Sequence, residues 1–147
     1  LCVQDTATSD TKSIENEDVA DEETQAVMSL SDEQLNLLSK LVAAEARGES
    51  YEGQVAVAAV VLNRVKDSRF PDSIEGVIYQ KNAFSVVRDG YINAQPTEES
   101  YKAAKDALYG NDPTNDAIYF WNPDISTCNW INTLNPHLRI GNHVFAR

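Results

Sequence analysis

Apolar residues first recur at helical steps from Leu35 onward, where Leu35, Leu38, Leu41 and Val42 share one face. Ahead of them Ser31-Asp32-Glu33-Gln34 has the form of a capping box, a hydroxyl followed three residues on by Gln, and Gly48 predicts the helix end. A second helix is predicted from about residue 54 to 65. Its run Val55-Ala56-Val57-Ala58-Ala59-Val60-Val61-Leu62 is apolar on nearly every side, as in a helix buried at the centre of a domain. Ser73 predicts the cap of a short third helix through Ile74, Val77, Ile78 and Tyr79. Residues 82–95 read as irregular, with a turn at Asp89-Gly90, and Thr97-Glu98-Glu99-Ser100 opens an amphipathic helix that ends at Gly110. Beyond it the period changes. Ala117-Ile118-Tyr119-Phe120-Trp121 predicts a strand stopped by Asn122-Pro123, and a second extended segment runs from His137 to Phe145, with Gly141 a bulge or turn. The pattern predicts an α+β fold, a helical body with a small C-terminal antiparallel β element.

At 147 residues the chain has room for one domain. Its net charge of −11 is unevenly placed: residues 1–30 hold eight acids against Lys12 alone, which is −7, leaving −4 for the rest. That acidic stretch lacks periodicity and apolar content, so 1–30 is expected to be a disordered leader or linker and 31–147 the folded domain. No basic stripe suited to phosphates is visible, which argues against nucleic acid as a partner. No run approaches the length of a membrane-spanning helix, and no basic start precedes an apolar signal core. Cys2 and Cys128 form no disulfide framework; a single bond between them would tie leader to domain, and the spacing does not decide it.

The candidate chemistry begins at Glu45, which continues the apolar stripe Leu35, Leu38, Val42. A carboxyl on a core-facing stripe is costly unless it is paired, protonated or set in a cleft. Desolvation favours the protonated form, which suits a general acid. Two readings fit: a catalytic acid, or a helix-end carboxylate paired with an arginine such as Arg47. Glu49 and Glu52 read as solvated turn residues, although Glu49, four residues past Glu45, is a candidate second carboxylate, as are Asp89 and Asp124. Late aromatics (Tyr119, Phe120, Trp121, Trp130, with Phe84 and Tyr91 earlier) and the nearby Asn122, Asn129, Asn132 and Asn135 suit either a sugar-binding cleft or a core. His137 and His143, six residues apart on one strand, stand too far apart to share a metal unless the chain turns between them; no zinc spacing or phosphate loop occurs, so neither metal nor cofactor is expected.

Together the motifs resemble the SleB/CwlJ-type cell wall hydrolases. The segment Leu41-Val42-Ala43-Ala44-Glu45-Ala46-Arg47-Gly48-Glu49, continuing through Ser50 to Val57, is similar to the family's opening. So are Val61-Leu62-Asn63-Arg64-Val65, Phe70-Pro71, Val77-Ile78-Tyr79-Gln80, Ala83-Phe84-Ser85, Ala117-Ile118-Tyr119-Phe120-Trp121-Asn122-Pro123 and Ile140-Gly141-Asn142-His143-Val144-Phe145. The resemblance spans about residues 35–146. It implies a lysozyme-like or lytic-transglycosylase-like catalytic domain cleaving the bond between N-acetylmuramic acid and N-acetylglucosamine, with Glu45 as acid. Within those motifs Asn63, Gln80, Phe84, Ser85, Tyr119, Trp121, Asn122 and His143 become candidate substrate contacts, and Trp130 joins them from the aromatic cluster. It further implies a monomer exported to the cell wall or spore cortex, its signal peptide absent from these residues, with peptidoglycan strands as its partner. One well-placed acid without an equal second favours the transglycosylase version over hydrolysis. A stem-peptide amidase or a non-catalytic wall-binding domain stands as the alternative.

Overall fold

The computed structural model describes residues 25–147. Most of the acidic leader and Cys2 lie outside the described residues. Six helices and three short strands follow in the order α1 (Asp32–Glu45), α2 (Tyr51–Lys66), α3 (Ile74–Ile78), α4 (Ser85–Arg88), α5 (Glu98–Leu108), β1 (Tyr119–Trp121), α6 (Asn129–Asn132), β2 (Leu138–Ile140) and β3 (His143–Ala146). Packing against the domain starts just ahead of α1, where Val27 N–H donates to Leu108 O and Met28 and Leu30 lie on the core.

Local chemistry sets the helix starts. Ser31 accepts from Gln34 N–H at 3.0 Å and Gln34 Oε1 accepts from Ser31 N–H at 2.9 Å, a reciprocal capping box. Thr97 and Ser100 repeat that arrangement at α5, and Ser50 and Ser73 cap α2 and α3 through single hydroxyls. Helix α2 begins at Tyr51, three residues before its predicted start, because Ser50 supplies the cap. From Gly53 to Arg64 every residue of α2 is buried, with α1 and α5 packed round it and round each other. Small side chains along α2 allow that approach.

Residues 82–95, predicted irregular, contain α4 and a 3₁₀ turn at Tyr91–Asn93, with Gly90 between them at φ +84°. Both are too short to show a period in sequence, and Gly90 takes a backbone conformation that favours glycine. The 137–145 segment is a hairpin: β2 and β3 pair antiparallel with Ile140 opposite His143, and β3 also pairs with β1, Phe120 opposite Phe145, in the order β1-β3-β2.

Glu49 docks this hairpin onto the helices. Its carboxylate accepts from Asn142 N–H at 3.3 Å and from Asn142 Nδ2 at 3.1 Å, ninety-three residues away in sequence. Gly141 sits at φ +60°, and a Cβ there would collide with Glu49 Oε1. The hairpin tip and the α1–α2 link therefore need glycine at 141 for two separate reasons. Beside this tie His143 is buried, edge-on to Phe120 at 5.1 Å between ring centroids and to Phe145 at 6.5 Å. Neither of its ring nitrogens has a hydrogen-bond partner. Burial pushes the imidazole below its ordinary value; Glu49 pulls it back up and Arg139 pushes it further down.

Two outcomes follow from this docking. Gly141→Ala should lower unfolding free energy by about 1–3 kcal/mol, read as a lower urea midpoint, and an unchanged midpoint would refute the close approach. For His143 the folded state binds the proton less readily than the unfolded chain. Stability present above the ordinary value of 6.5 is therefore lost as pH falls through it toward the lowered folded value. Wild-type stability should fall more steeply with acidification over that window than that of His143→Gln; parallel curves would contradict it.

Candidate active site

The stripe that runs along α1 carries its last residue into the core. Leu35, Leu38 and Val42 are buried, and Glu45, one turn on, is fully withdrawn from solvent. Ala46 caps the helix by donating to Val42 O, Gly48 reverses the chain at φ +81°, and Ser50 starts α2. The link is short enough to hold Glu45 and Glu49 at one end of the helical pair.

Arg64 lies in the same buried layer, on α2, and is a functional candidate that the sequence reading passed over. Only 1% of its surface is exposed. Its Nε donates to Ile118 O at 2.7 Å, and the guanidinium lies over three rings: Phe70 at 5.0 Å, Phe84 at 5.3 Å and Tyr119 at 5.7 Å. Nη1 is buried without a hydrogen-bond partner. Burial pulls the guanidinium down to about 10, while Tyr119 and Glu45 pull it back up. It is still charged at neutral pH. The signal that could have found it is the one that found Glu45: Val57, Val61 and Arg64 follow helical steps, so Arg64 ends an apolar stripe.

The structure gathers some of the sequence candidates and separates others. Phe84 and Tyr119 form two sides of the arginine cage, and Tyr119 meets Trp130 edge-on at 5.4 Å. Trp130 is 44% exposed, so it is free to offer a ring face to a ligand. Ser85, largely buried, opens α4 directly after Phe84, and Gln80, half-buried after α3, keeps its Oε1 buried without a partner. Asn63 is elsewhere: it donates to Asp112 and to Ala117 O, and it lines a recess of about 160 Å³ that Glu45 does not border. Trp121 is buried in a second small cluster with Ile131, Val144 and Ala146, because side chains alternate along β1, and its ring is not at the surface. Asn122 closes a turn by accepting from Asp124 N–H, and His143 packs between rings of the core.

The candidate second carboxylates named from the sequence are tied or exposed, while Glu99 of α5 is also buried, with Oε1 accepting from Gln54 and Oε2 lacking a hydrogen-bond partner. Glu49 is buried, contrary to its reading as a solvated turn residue, but its two oxygens serve Asn142. Asp89 is exposed and pairs with Arg88, and Asp124 is exposed near Arg139. The hairpin turn does not join the two histidines, since His137 Nε2 bonds Thr114 O while His143 is interior. Among the described residues no three His, Cys, Asp or Glu side chains are grouped to hold a metal ion. Cys128 is disulfide-bonded, and its Sγ accepts from Ile131 N–H at the start of α6.

The chain is similar to known proteins over most of its described residues. The chain is 46% identical over 113 residues to the spore cortex-lytic enzyme of Oceanobacillus iheyensis, a match covering 77% of this chain and 41% of that one. It spans less than half the length of such curated relatives. Among solved structures it is similar to the catalytic domain of the Bacillus cereus SleB protein, with 45% identity and a TM-score of 0.76 over 81% of this chain and 93% of that one. It is also similar to the catalytic domain of the germination-specific lytic transglycosylase SleB from Bacillus anthracis, with 44% identity and a TM-score of 0.78 over 81% and 98%. The α+β catalytic-domain fold expected from the sequence is thus shared with both. Residues 48–146, which include Glu49, Arg64 and the whole sheet, match the family described as Cell Wall Hydrolase, and the chain belongs to that family.

Proposed function

We propose that this chain degrades peptidoglycan as a lytic transglycosylase of the spore cortex-lytic type, with Glu45 as its acid and then its base. The observation that carries the reading is Glu45 itself, a carboxyl buried at the end of an apolar stripe and exerting an electrostatic pull on an arginine enclosed by aromatic rings. A proton donor gains from such a setting, because removal from water works against premature ionisation while a nearby cation makes ionisation possible later. In the first half of the reaction Glu45 gives its proton to the glycosidic oxygen as the bond from the muramic acid anomeric carbon breaks, releasing the N-acetylglucosamine hydroxyl. In the second half the 6-hydroxyl of the same muramic acid attacks that carbon, and its proton returns to Glu45. The product is a 1,6-anhydro end, and no water is consumed.

The exposed face of Trp130, with Tyr119, Ser85 and the half-buried Gln80, forms the proposed set of glycan contacts. Flat rings suit the apolar faces of pyranoses, and the amide oxygen suits an acetamido N–H. The relatives' names place their action at the spore cortex, and we carry that substrate and its extracellular location to this chain. No described helix is long and apolar enough to cross a membrane.

Glu45→Gln tests the assignment. The amide keeps the shape and cannot give a proton, so loss of turbidity from cortex fragments should slow by at least ~10²-fold while circular dichroism stays native. A variant retaining more than about a tenth of the wild-type rate would remove Glu45 from the role.

A further inference from the structure

One buried amide holds the link between α1 and α2 from the inside. Glu49 precedes the Ser50 cap, so its carbonyl lies outside the hydrogen-bond ladder of α2, and Gly53 N–H, four residues on, bonds the Ser50 hydroxyl instead. Gln54 reaches back along the first turn: its Nε2 donates to Glu49 O at 3.4 Å and to Glu99 Oε1 of α5 at 2.9 Å. Gly53 leaves room for this return, since a Cβ there would lie 3.0 Å from Glu49 Cβ. The chain of bonds continues toward the acid. Glu49 N–H donates to Ala46 O and Ala46 N–H to Val42 O, both at 2.9 Å, and Glu45 is covalently joined to Ala46. Gln54 and Glu99 are both buried, where an apolar pair would cost less. The place of Glu99 in the first turn of α5 offsets part of that cost, yet its Oε2 lacks a hydrogen-bond partner. A network left incomplete in this way is a poor source of stability. What it supplies is geometry.

We propose that Gln54 is a positioning residue for the acid: by bonding the Glu49 carbonyl and the Glu99 carboxyl with one amide, it braces the α1–α2 link against α5 and sets where Glu45 stands against the glycosidic oxygen. This rests on the reading of Glu45 as acid and base. The link turns at Gly48, which has φ +81° and no side chain to anchor it, so its placement depends on what its neighbours bond. Two sides hold it. The Glu49 carboxylate ties it to Asn142 at the hairpin tip, and the Glu49 carbonyl ties it through Gln54 to α5. Tyr51, at the start of α2, adds a second tie to α5 through its hydroxyl, which donates to Asp106 Oδ2 at 3.4 Å. A proton donor works only within hydrogen-bond reach of its acceptor, and a displacement of about 1 Å can cost ~10²-fold in rate. Bracing the link therefore acts on the chemical step, while the proposed glycan contacts lie on other segments.

The test compares wild type, Gln54→Met, Glu99→Met and Glu99→Gln. In each, kcat and KM are measured on soluble cortex glycan well below the melting transition, and the amide NMR shifts of Gly48 and Glu49 are recorded without substrate. Methionine keeps the bulk and removes the hydrogen bonds, whereas glutamine at 99 keeps an oxygen for Gln54. In Gln54→Met kcat should fall by about tenfold or more with KM held within about twofold, and both amide shifts should move. Glu99→Met should lower kcat in the same sense, and Glu99→Gln should restore it. A wild-type kcat in folded Gln54→Met overturns the proposal whatever its melting temperature, because a merely structural tie changes stability and leaves turnover of the folded enzyme alone. Unmoved amide shifts, or a change confined to KM, overturn it as well. Should Gln54→Met fail to fold, the Glu99 pair decides alone: a lower kcat in Glu99→Met that Glu99→Gln restores supports the brace, and equal values refute it. Because the shifts report on the link directly, the result is separable from the acid assignment, which falls only if Glu45→Gln remains active.

Discussion

The burial of two ionisable side chains, Glu45 at the end of α1 and Arg64 near the end of α2, is the costly constraint on which the arrangement of the domain turns. Neither Glu45 nor Arg64 can be buried cheaply alone. The apolar stripe of α1 delivers the carboxyl, and that of α2 delivers the guanidinium. The segments that follow α2 supply Phe70 and Phe84, and β1 supplies Tyr119 while the residue before it supplies the carbonyl of Ile118. The arginine is thereby enclosed by three separate parts of the chain. The sheet is small, but without it the cage would lose a wall.

Glu49, just past the end of α1, has a parallel role. It spends its carboxylate on Asn142, so that the β2–β3 tip is tied to the same link that positions the acid. Glycine at 141, at φ +60° and without a Cβ to meet Glu49 Oε1, leaves room for the two to approach. The near-repeat of acids in Ala44-Glu45-Ala46-Arg47-Gly48-Glu49 thus divides into two duties. One acid is buried at the end of the α1 stripe, and the other is consumed by architecture.

Much of this was legible in the sequence, and what was not has physical reasons. Helices α1, α2, α3 and α5 announced themselves by caps and period, and Glu45 stood out because a carboxyl at an apolar step is an anomaly with a cost. Arg64 carried the same anomaly at the end of α2 but was hidden beside Lys66, where a basic residue suits a helix end. The hairpin was readable only as one extended segment with a break at Gly141. Helices α4 and α6 have four residues each and cannot show a period. Glu49 looked solvated because its partner lies ninety-three residues away, beyond any local signal. Trp121 and Asn122 sit within a motif that reads as a binding segment, yet tertiary packing and a turn use them for the fold.

Of the carboxylates weighed as partners to Glu45, Glu49 is tied to Asn142 and Asp89 and Asp124 are exposed, so on this account the reaction is completed by a nucleophile that the enzyme need not activate with a second carboxylate. The muramic 6-hydroxyl is held beside the reacting carbon, and effective molarities of oriented intramolecular groups reach ~10⁵ M or more, far above that of water. The measurement that tests this most directly is mass spectrometry of the glycan fragments released from cortex by the wild-type protein, before and after borohydride treatment. The account predicts muramic ends lighter by the mass of one water and resistant to reduction. Reducible muramic ends as the main product would contradict it by showing water as the nucleophile, and free stem peptides would place the cleavage outside the glycan strand.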